Sequence, residues 1–315
     1  MIKRPLVSIC VPVYGVENFI ERCARSLFSQ TYPNLEFIFV NDNTQDKSIE
    51  ILKSVIADFP ENDNKTRIVN HEFNRGLSAS RNTALINAKG DYVMHVDSDD
   101  WIDRRAVELL VDELENDDFD IVTGQVIMHK KDSWTFLDRP HYYNKIDFVC
   151  DLSKATLRHA IWGRLIKRSL YVDNHVMAEE GTNVGEDLQV MPQLAYFAKK
   201  TSSIESVIYH YNCTNESSYM GCGISTNRLK QDIRSAEIVY EFFYDKESIF
   251  FETIKKTLLM LYIFALRHLA REDNKRLFKE VKTKMFKIKP NTAKEKINFL
   301  MAKNYYLYRC LLKLL

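Results

Sequence analysis

The first part of the chain, to about residue 130, alternates strand-like and helix-like patterns, and this alternation constrains the fold most. Leu6–Val13 is a nearly continuous apolar run, which is typical of a strand buried on both faces. Apolar residues then recur at helical spacing at Ile20, Cys23, Ala24 and Leu27. The strands predicted in this part are Leu6–Val13, Leu35–Val40, Arg67–Asn70, Asp91–Val96 and Asp120–Met128. The alternation predicts an α/β fold built on a sheet.

The pattern changes along the rest of the chain. Gly76–Ala88 is a predicted helix that we expect Gly90 to end in a left-handed turn. The periodicity weakens beyond about residue 130, and from about residue 227 the chain reads as helical. We therefore expect a sheet-containing part at residues 1–220 and a helical C-terminal region at residues 221–315. Its last segment, Asn304–Leu315, either lies on a membrane surface or packs on its own domain or a dimer partner.

Charge and composition exclude several classes of protein. The 315 residues carry 44 Lys and Arg against 43 Asp and Glu, and this balance argues against a protein that coats nucleic acid. The six cysteines are scattered without a C-x-x-C pair, so we interpret them as reduced thiols. The longest apolar run, Leu258–Leu266, is far shorter than the ~20 residues of a membrane helix. We expect a cytoplasmic protein that can contact the inner face of the plasma membrane.

Polar side chains follow the predicted parallel strands, at the edge where open α/β sheets bind ligands. The first strand leads to Pro12, Val13, Tyr14 and Glu17, and the second to Asn41 and Asp42. The third is followed by His71 and Arg75, and the fourth by Asp97, Ser98, Asp99 and Asp100. The chain has no G-x-x-x-x-G-K-[ST] and no G-x-G-x-x-G motif. A phosphate ligand at this edge would therefore depend on a metal ion for charge neutralisation.

The run Asp97-Ser98-Asp99-Asp100 is the sharpest single feature. Carboxylates this close together repel one another unless a cation or hydrogen bonds neutralise them, and hard oxygen ligands select Mg²⁺ or Mn²⁺. Such an ion commonly completes its coordination with phosphate oxygens and water, which suggests a diphosphate ligand. The alternative is that Asp99 or Asp100 caps a helix that begins near Asp103. Spacing alone leaves both interpretations open.

Seven short runs stand in an order and spacing that together are highly specific. They are Val7–Tyr14 (VSICVPVY), Ser26–Tyr32 (SLFSQTY), Val40–Asp46 (VNDNTQD), Asn74–Asn82 (NRGLSASRN), Gly90–Val93 (GDYV), Asp97–Trp101 (DSDDW) and Gly185–Leu188 (GEDL). The set resembles the family 2 nucleotide-sugar glycosyltransferases over about residues 5–215 and leaves the helical tail uncovered. The resemblance implies a GT-A fold, with a Rossmann-like mixed sheet and a helical C-terminal extension.

The resemblance also implies how a UDP-sugar donor is bound. Tyr14 would stack on the nucleotide base in a pocket shaped by Pro12 and Val13, and Asp42 would hydrogen-bond the base, usually uracil. Two further residues would lie near the donor, Glu17 and Arg75. The chain departs from the family pattern at Gly15, where Asn is usual, and at Asn41, which replaces an acid.

The resemblance assigns the remaining roles to the acidic motifs. Asp97, next to Ser98 in the donor site, would reach the ribose or the metal, and Asp99 would be the direct ligand of Mn²⁺ or Mg²⁺. Asp187 would be the general base of an inverting transfer, in which it takes the proton of the acceptor hydroxyl. Without the resemblance, Glu186 and Asp187 would be interpreted as helix-capping residues.

The resemblance further implies a glycan or lipid-linked acceptor in cell-surface polysaccharide biosynthesis. Processive members of the family carry a Gln-x-x-Arg-Trp motif and membrane spans, and this chain has neither, so we expect transfer of one sugar per encounter. The alternative is a catalytically inactive protein that binds nucleotide sugars or serves as an assembly scaffold. An aspartyl phosphotransferase is disfavoured, because its acidic motif normally follows the first strand rather than the fourth.

Three further features stay ambiguous in the sequence. His210 is either an extra metal ligand or a structural residue, and Trp162 either stacks on an acceptor sugar or belongs to the core. A basic cluster would either meet an anionic lipid-linked acceptor or form a solvated face; its members are Arg158, Arg164, Lys167 and Arg168.

Overall fold

The structure is a computed structural model that describes residues 4–137, 144–154, 159–215, 225–272, 274–290 and 292–305. Nine strands in these ranges form one sheet. The strands are β1 (Val7–Val13), β2 (Leu35–Asn41), β3 (Thr66–Asn70), β4 (Tyr92–His95), β5 (Trp101–Ile102), β6 (Ile121–His129), β7 (Trp134–Leu137), β8 (Arg164–Lys167) and β9 (Thr201–Asn212).

Eleven α-helices of the described residues surround the sheet. They are α1 (Ile20–Phe28), α2 (Ser48–Asp58), α3 (Leu77–Asn87), α4 (Ala106–Glu113), α5 (Lys145–Leu152), α6 (Arg168–Val172), α7 (Glu186–Phe197), α8 (Thr226–Phe242), α9 (Ser248–Arg271), α10 (Lys275–Met285) and α11 (Ala293–Ala302). A 3₁₀ helix covers Pro60–Lys65.

The sheet has a parallel half and a mixed half. Strands β3, β2, β1 and β4 run parallel in that spatial order, so their carboxyl ends meet at one edge. The order then continues through β8, β6, β9 and β5, where β8 is antiparallel to β4 and β6 is parallel to β9. This arrangement confirms the predicted α/β class with a mixed sheet.

Side chains of the central strands alternate between two hydrophobic cores. Ile9 and Val11 of β1 face a core that includes α1, α2 and α4, whereas Cys10 faces the core that includes α3, α5 and α7. The second core continues without interruption into α8–α10, where it includes Leu258 and Leu266. The division expected near residue 220 stays a prediction, because residues 216–224 lie outside the described ranges.

Gly90 has a different task from the one that the sequence suggested. It does not adopt a left-handed conformation; the left-handed backbone instead occurs at Gly76, before α3, and at Gly185, before α7. A Cβ at Gly90 would lie 2.5 Å from Ser8 Oγ and 2.7 Å from Ser8 N. Glycine is therefore needed at position 90 because the backbone approaches β1 closely.

Several features of the C-terminal part bear on membrane contact. Among the helices that the structure describes, none combines the length and apolar character required to cross a lipid bilayer. Residues 306–315, which include most of the segment expected at a membrane or dimer surface, lie outside the described residues. Arg158 of the basic cluster lies outside them as well.

Candidate functional site

A cleft of about 410 Å³ opens at the carboxyl ends of β1 and β4. Most of the predicted site residues border it, and they come from segments far apart in the chain: Pro12, Val13, Tyr14, Asp42, Asp97, Ser98, Asp99 and Asp187. The topology explains this convergence, since parallel strands end at the same edge of the sheet. Residues that the sequence did not single out, among them Arg81, Tyr211 and Asn215, also line the cleft.

Two predicted donor residues do not line the cleft. Glu17 Oε2 accepts a hydrogen bond from the Lys47 amide at 3.0 Å, which ties the loop after β1 to the start of α2. The Arg75 guanidinium donates to both oxygens of Glu180, at 2.8 and 2.9 Å. Neither side chain faces the cleft as the structure stands, and their roles in donor binding stay predictions.

Tyr14 lies at the mouth of the cleft. It is the only predicted donor residue with a largely free ring, since 54% of the residue is exposed. Gly15 follows it with a φ of 67° and donates its amide to Thr44 Oγ1 at 2.9 Å. A left-handed residue at this point is suited to glycine. The ring face of Tyr14 is therefore available for stacking on a planar ligand.

Asp42 is buried and already has three partners. Its Oδ1 accepts from His71 Nδ1 at 2.7 Å and from the Arg75 amide at 2.8 Å, and its Oδ2 accepts from the Gly76 amide at 2.7 Å. These bonds hold the start of α3 against the end of β2. A carboxylate has about four acceptor positions, so little capacity remains for a nucleotide base.

The three acids after β4 differ in their surroundings. Asp100 is fully buried and accepts from the Tyr209 hydroxyl and the Asn212 amide, both at 2.7 Å. A short strand, β5, follows it, and α4 begins only at Ala106 with no side-chain cap. The helix-cap interpretation of Asp99 and Asp100 is therefore wrong, because the backbone after them joins the sheet instead. Asp100 anchors the loop to β9.

Asp97 and Asp99 are the two acids of this motif that border the cleft. Asp99 Oδ2 accepts from Asn215 Nδ2 at 2.8 Å. Burial, together with the negative charge of Asp97, raises the pKa of Asp99 to about 6. The two half-buried carboxylates therefore oppose a second negative charge, and a bound cation would relieve that repulsion. The donor set thus fits a divalent ion.

A complete protein cage for the metal is not found in the described part of the chain, where no group of three or more His, Cys, Asp or Glu is arranged to hold an ion. Mg²⁺ and Mn²⁺ do not require one. Mg²⁺ is commonly bound by one or two carboxylates, with phosphate oxygens and waters completing the octahedron. Asp97 and Asp99 match this pattern.

Arg81 of α3 joins the acids of two motifs, and sequence reasoning missed it. The residue is only 6% exposed, and its Nη2 donates to Asp97 Oδ1 at 2.7 Å. Its Nη1 donates to Glu186 Oε1 and to Asp187 Oδ1. The available signal was an arginine inside a helix whose neighbouring residues are small and buried. A guanidinium in such a place requires carboxylate partners.

The charges around Arg81 are unbalanced. Burial acts to lower the pKa of Arg81, but the charges of Asp187, Asp97 and Glu186 outweigh it and raise that pKa above its ordinary value. Burial also raises the pKa of Glu186, although the Arg81 charge opposes this shift. One buried guanidinium therefore faces three carboxyl groups. Its single positive charge cannot neutralise all three if they are ionised.

Asp187 occupies the first turn of α7, which begins after the left-handed Gly185. Its Oδ2 accepts from the Ile161 amide at 3.1 Å, while Oδ1 accepts from Arg81. Neither Glu186 nor Asp187 caps the helix, so the capping interpretation of this pair is wrong. Each oxygen of Asp187 accepts one such bond and keeps acceptor capacity toward the cleft.

Trp162 belongs to an aromatic stack at the side of the cleft. Its ring lies on those of Tyr209 and Tyr211, with centroid distances of 4.9 and 5.2 Å and interplanar angles of 12° and 15°. The residue is only 3% exposed. The core interpretation therefore holds, because little of the ring is open to an acceptor sugar.

His210 lies on the opposite face of β9 from these tyrosines. Its Nδ1 is 2.9 Å from His129 Nε2, and its ring stacks on Trp101 at 5.1 Å with an interplanar angle of 2°. It does not border the cleft, so the interpretation as an extra metal ligand is not supported. The alternation of side chains along a strand is the physical reason.

The described members of the basic cluster do not share a surface. Arg164 is buried and donates to the Ala160 carbonyl and to Thr123 Oγ1. Lys167 forms an ion pair with Asp118 at 2.9 Å, and Arg168 Nε donates to the Gly90 carbonyl at 2.9 Å. These side chains mainly hold β8 and α6 in place, so an anionic acceptor surface made of them is not supported.

The sequence is similar to curated glycosyltransferases. EpsJ of Bacillus subtilis (strain 168), an uncharacterized glycosyltransferase, is 32% identical over 215 residues, 66% of this chain and 61% of EpsJ. A chondroitin synthase of Pasteurella multocida (strain Pm70) is 36% identical over 113 residues, 36% of this chain and 11% of that protein. This chain thus spans less than two thirds of either relative.

Solved structures share the fold. S. aureus TarS 1–349 in complex with UDP-GlcNAc has a TM-score of 0.65 and 17% identity, and the match covers 94% of this chain and 79% of that one. The mannosyltransferase PcManGT from Pyrobaculum calidifontis, in complex with GDP-Man and Mn²⁺, has a TM-score of 0.56 and 18% identity, with coverage of 98% and 87%. These matches confirm the GT-A architecture.

The family follows from the extent of the sequence match. The family model "Glycosyl transferase family 2" matches residues 8–177, more than half of the chain. This range contains the loop after β1, the loop after β2 and the acids after β4, which the structure brings together at one cleft. The chain therefore belongs to glycosyltransferase family 2.

Proposed function

We propose that this glycosyltransferase is an inverting, metal-dependent enzyme that moves one sugar from a UDP-sugar to a hydroxyl of a glycan or lipid-linked acceptor. One observation carries the proposal: Asp97 and Asp99 line the same cleft as Asp187, and Arg81 binds both Asp97 and Asp187. A single displacement needs a base and the groups that hold the leaving diphosphate within one site, because the new bond forms and the old bond breaks in the same step.

The donor half of the cleft suits a nucleoside diphosphate. The exposed ring of Tyr14 can stack on the base, and Pro12 and Val13 form the adjacent wall. Asp99, with Asp97, would hold Mg²⁺ or Mn²⁺, which when bound would neutralise charge on the departing diphosphate. Binding of UDP-GlcNAc by TarS and of GDP-Man with Mn²⁺ by PcManGT supports this class of donor.

The catalytic half requires a base near the acceptor hydroxyl. Asp187 would take the hydroxyl proton as the acceptor oxygen forms its bond to the anomeric carbon, and the bond from that carbon to the diphosphate breaks in the same step. The Arg81 and Ile161 contacts would keep the carboxylate oriented during this transfer. A reaction in one displacement inverts the anomeric configuration.

The acceptor class and the place of action are proposed from relatives and surface chemistry. A chondroitin synthase among the relatives supports polysaccharide synthesis. The C-terminal helices expose apolar side chains of Met260, Phe264, Ile297 and Leu300. Helix α10 adds basic residues, Lys275, Arg276, Lys279, Lys282 and Lys284, against one acid, Glu280. Such a surface suits peripheral contact with an anionic membrane or a homodimer contact.

Replacement of the base tests the proposed reaction. We expect Asp187→Asn to lower kcat by at least about 10²-fold, because general-base catalysis typically contributes 10²–10⁴-fold. UDP binding should change by less than about twofold, because Asp187 would touch the acceptor rather than the nucleotide. The measurement is UDP release with a panel of UDP-sugars and glycan acceptors, and the anomeric configuration of the product is read by NMR.

The control is Asp118→Asn, which replaces an exposed acid whose partner is Lys167. It should keep full turnover. Full turnover by Asp187→Asn would contradict the assignment of the base. Nucleotide binding by the wild type without transfer to any acceptor would favour the inactive scaffold instead.

A further inference from the structure

A second, much smaller cavity lies beside the acids of the active site. Its volume is about 20 Å³, and its lining includes Arg81, Glu186, Asp187, His95 and Tyr171. A cavity needs about 10–15 Å³ of such volume to hold one water molecule. The space is therefore sufficient for a single water and too small for any larger ligand.

Polar groups from three different elements meet at this cavity without a partner. Within the described residues, Arg81 Nε of α3, both ring nitrogens of His95 on β4 and the Tyr171 hydroxyl of α6 are buried and lack hydrogen bonds. The rings of His95 and Tyr171 have their centroids 6.1 Å apart. A buried polar group without a partner costs about 1–3 kcal/mol, and native proteins leave few of them unsatisfied.

The chemistry of these groups matches one water molecule. Arg81 Nε is a donor only, a neutral imidazole offers one donor and one acceptor, and the tyrosine hydroxyl offers both. A water molecule can accept from Arg81 and bridge the other two groups. Buried waters typically make about three hydrogen bonds of this kind.

We propose that the cavity binds one structural water molecule, and that His95 and Tyr171 act through it as positioning residues for Arg81. The second part rests on the proposed function, since it takes Asp187 as the base. The water would fix Nε and with it the plane of the guanidinium. That plane decides whether Nη2 reaches Asp97 while Nη1 reaches Glu186 and Asp187.

The binding site itself is tested by a high-resolution crystal structure of the full chain, without reference to activity. We expect one density peak within hydrogen-bond distance of Arg81 Nε, the Tyr171 hydroxyl and one nitrogen of His95. The double variant His95→Leu, Tyr171→Phe should lose that peak. An empty cavity in the wild type, or a side chain turned into it, would overturn the proposal.

The positioning role is tested by a separation of kcat from donor binding. Tyr171→Phe is nearly isosteric, and we expect it to lower kcat about 10-fold, as supporting residues around active sites often do. The donor KM and the affinity for UDP should stay within about twofold, because Tyr171 does not line the cleft. Arg81→Lys keeps the positive charge, but a lysine ammonium cannot reach all three carboxylates. Its kcat should therefore stay below that of the wild type.

The matched control is Tyr92→Phe. Tyr92 is also a buried tyrosine, but its hydroxyl donates to the Phe119 carbonyl at 2.7 Å, in the other core. It should lower stability and leave kcat unchanged. Equal kcat values for the two variants would refute the positioning role. If the wild type transfers no sugar, the proposed function fails, while the density in the cavity still decides the water site.

Discussion

At the scale of single residues, the same side-chain type performs different tasks according to its neighbours. Asp100 accepts two hydrogen bonds that anchor a loop, whereas Asp97 and Asp99, in the same motif, face the cleft. The order of the motif along the chain predicted an acidic edge of the sheet. It could not predict this division, because the partners Tyr209, Asn212 and Asn215 come from a distant strand and the loop after it.

His95 makes a testable contribution to acid sensitivity. Burial and then the charge of Arg81 lower its pKa from 6.5 to about 3, so the imidazole is neutral in the folded protein. The unfolded chain takes up a proton on this group below about pH 6.5, so the fold loses stability as the pH falls from that value toward 3. Between pH 7 and pH 5, the protonation of His95 in the unfolded chain should lower the free energy of unfolding by about 2 kcal/mol.

Urea unfolding of the wild type and of His95→Leu at the two pH values measures this contribution. The variant should lose about 2 kcal/mol less free energy of unfolding than the wild type over that interval. Identical losses in the two proteins would mean that His95 takes up its proton in the folded state as readily as in the unfolded chain.

At the scale of elements, the sequence predicted the strands of the parallel half and β6 of the mixed half, but not the short strands β5, β7 and β8. Strands β1, β2 and β4 are buried almost throughout, so each appears as an apolar run, whereas β3 is only half-buried. The pairings of β8 with β4 and of β5 with β9 join segments more than 70 residues apart. Such pairings depend on tertiary packing, which the local sequence pattern does not encode. The predicted turn at Gly90 failed for a similar reason, because the close neighbour is Ser8.

Gly90→Ala tests how closely the loop before β4 approaches β1. The added Cβ would meet backbone and side-chain atoms of Ser8 and the Tyr92 carbonyl, at 2.5 to 2.7 Å, so the backbone has to move. We expect Gly90→Ala to lower the free energy of unfolding by about 1–3 kcal/mol, as substitutions that overpack a protein interior do. The measurement is the midpoint of urea unfolding.

Gly181→Ala is a useful comparison for this variant. Gly181 has a φ of 86°, and no atom lies within 4 Å of its added Cβ. Gly181→Ala should therefore lower the free energy of unfolding by only about 1 kcal/mol, which is the cost of a left-handed backbone conformation for a residue other than glycine. If Gly90→Ala were as stable as the wild type, the close approach of these two segments would be wrong.

At the scale of the whole molecule, the C-terminal helices and the sheet share a core. Ile38 and Val93 of the sheet belong to the same hydrophobic cluster as Leu258 and Leu266 of α9. The helical periodicity predicted these helices but not where they pack. The pattern shows which face of a helix is apolar, but not which element covers that face. We expect one cooperative unfolding transition for the chain rather than two.

Leu258→Ala tests this shared core, with Met260→Ala as its control on the same helix. Leu258 is 1% exposed and Met260 is 61% exposed. Leu258→Ala should lower the free energy of unfolding by about 2–5 kcal/mol, and Met260→Ala should lower it by less than about 0.5 kcal/mol. Calorimetry should show the whole single transition shifted by Leu258→Ala. A second transition, with only part of the chain destabilised, would contradict the shared core.

The central claim is that the cleft binds a nucleoside diphosphate through a metal ion held at Asp99, and calorimetric titration of UDP tests it most directly. We expect binding in the presence of Mn²⁺, its loss in EDTA and its loss in Asp99→Ala, with Asp118→Ala unchanged. Binding of UDP that is equally tight in EDTA, or that survives Asp99→Ala, would contradict the account.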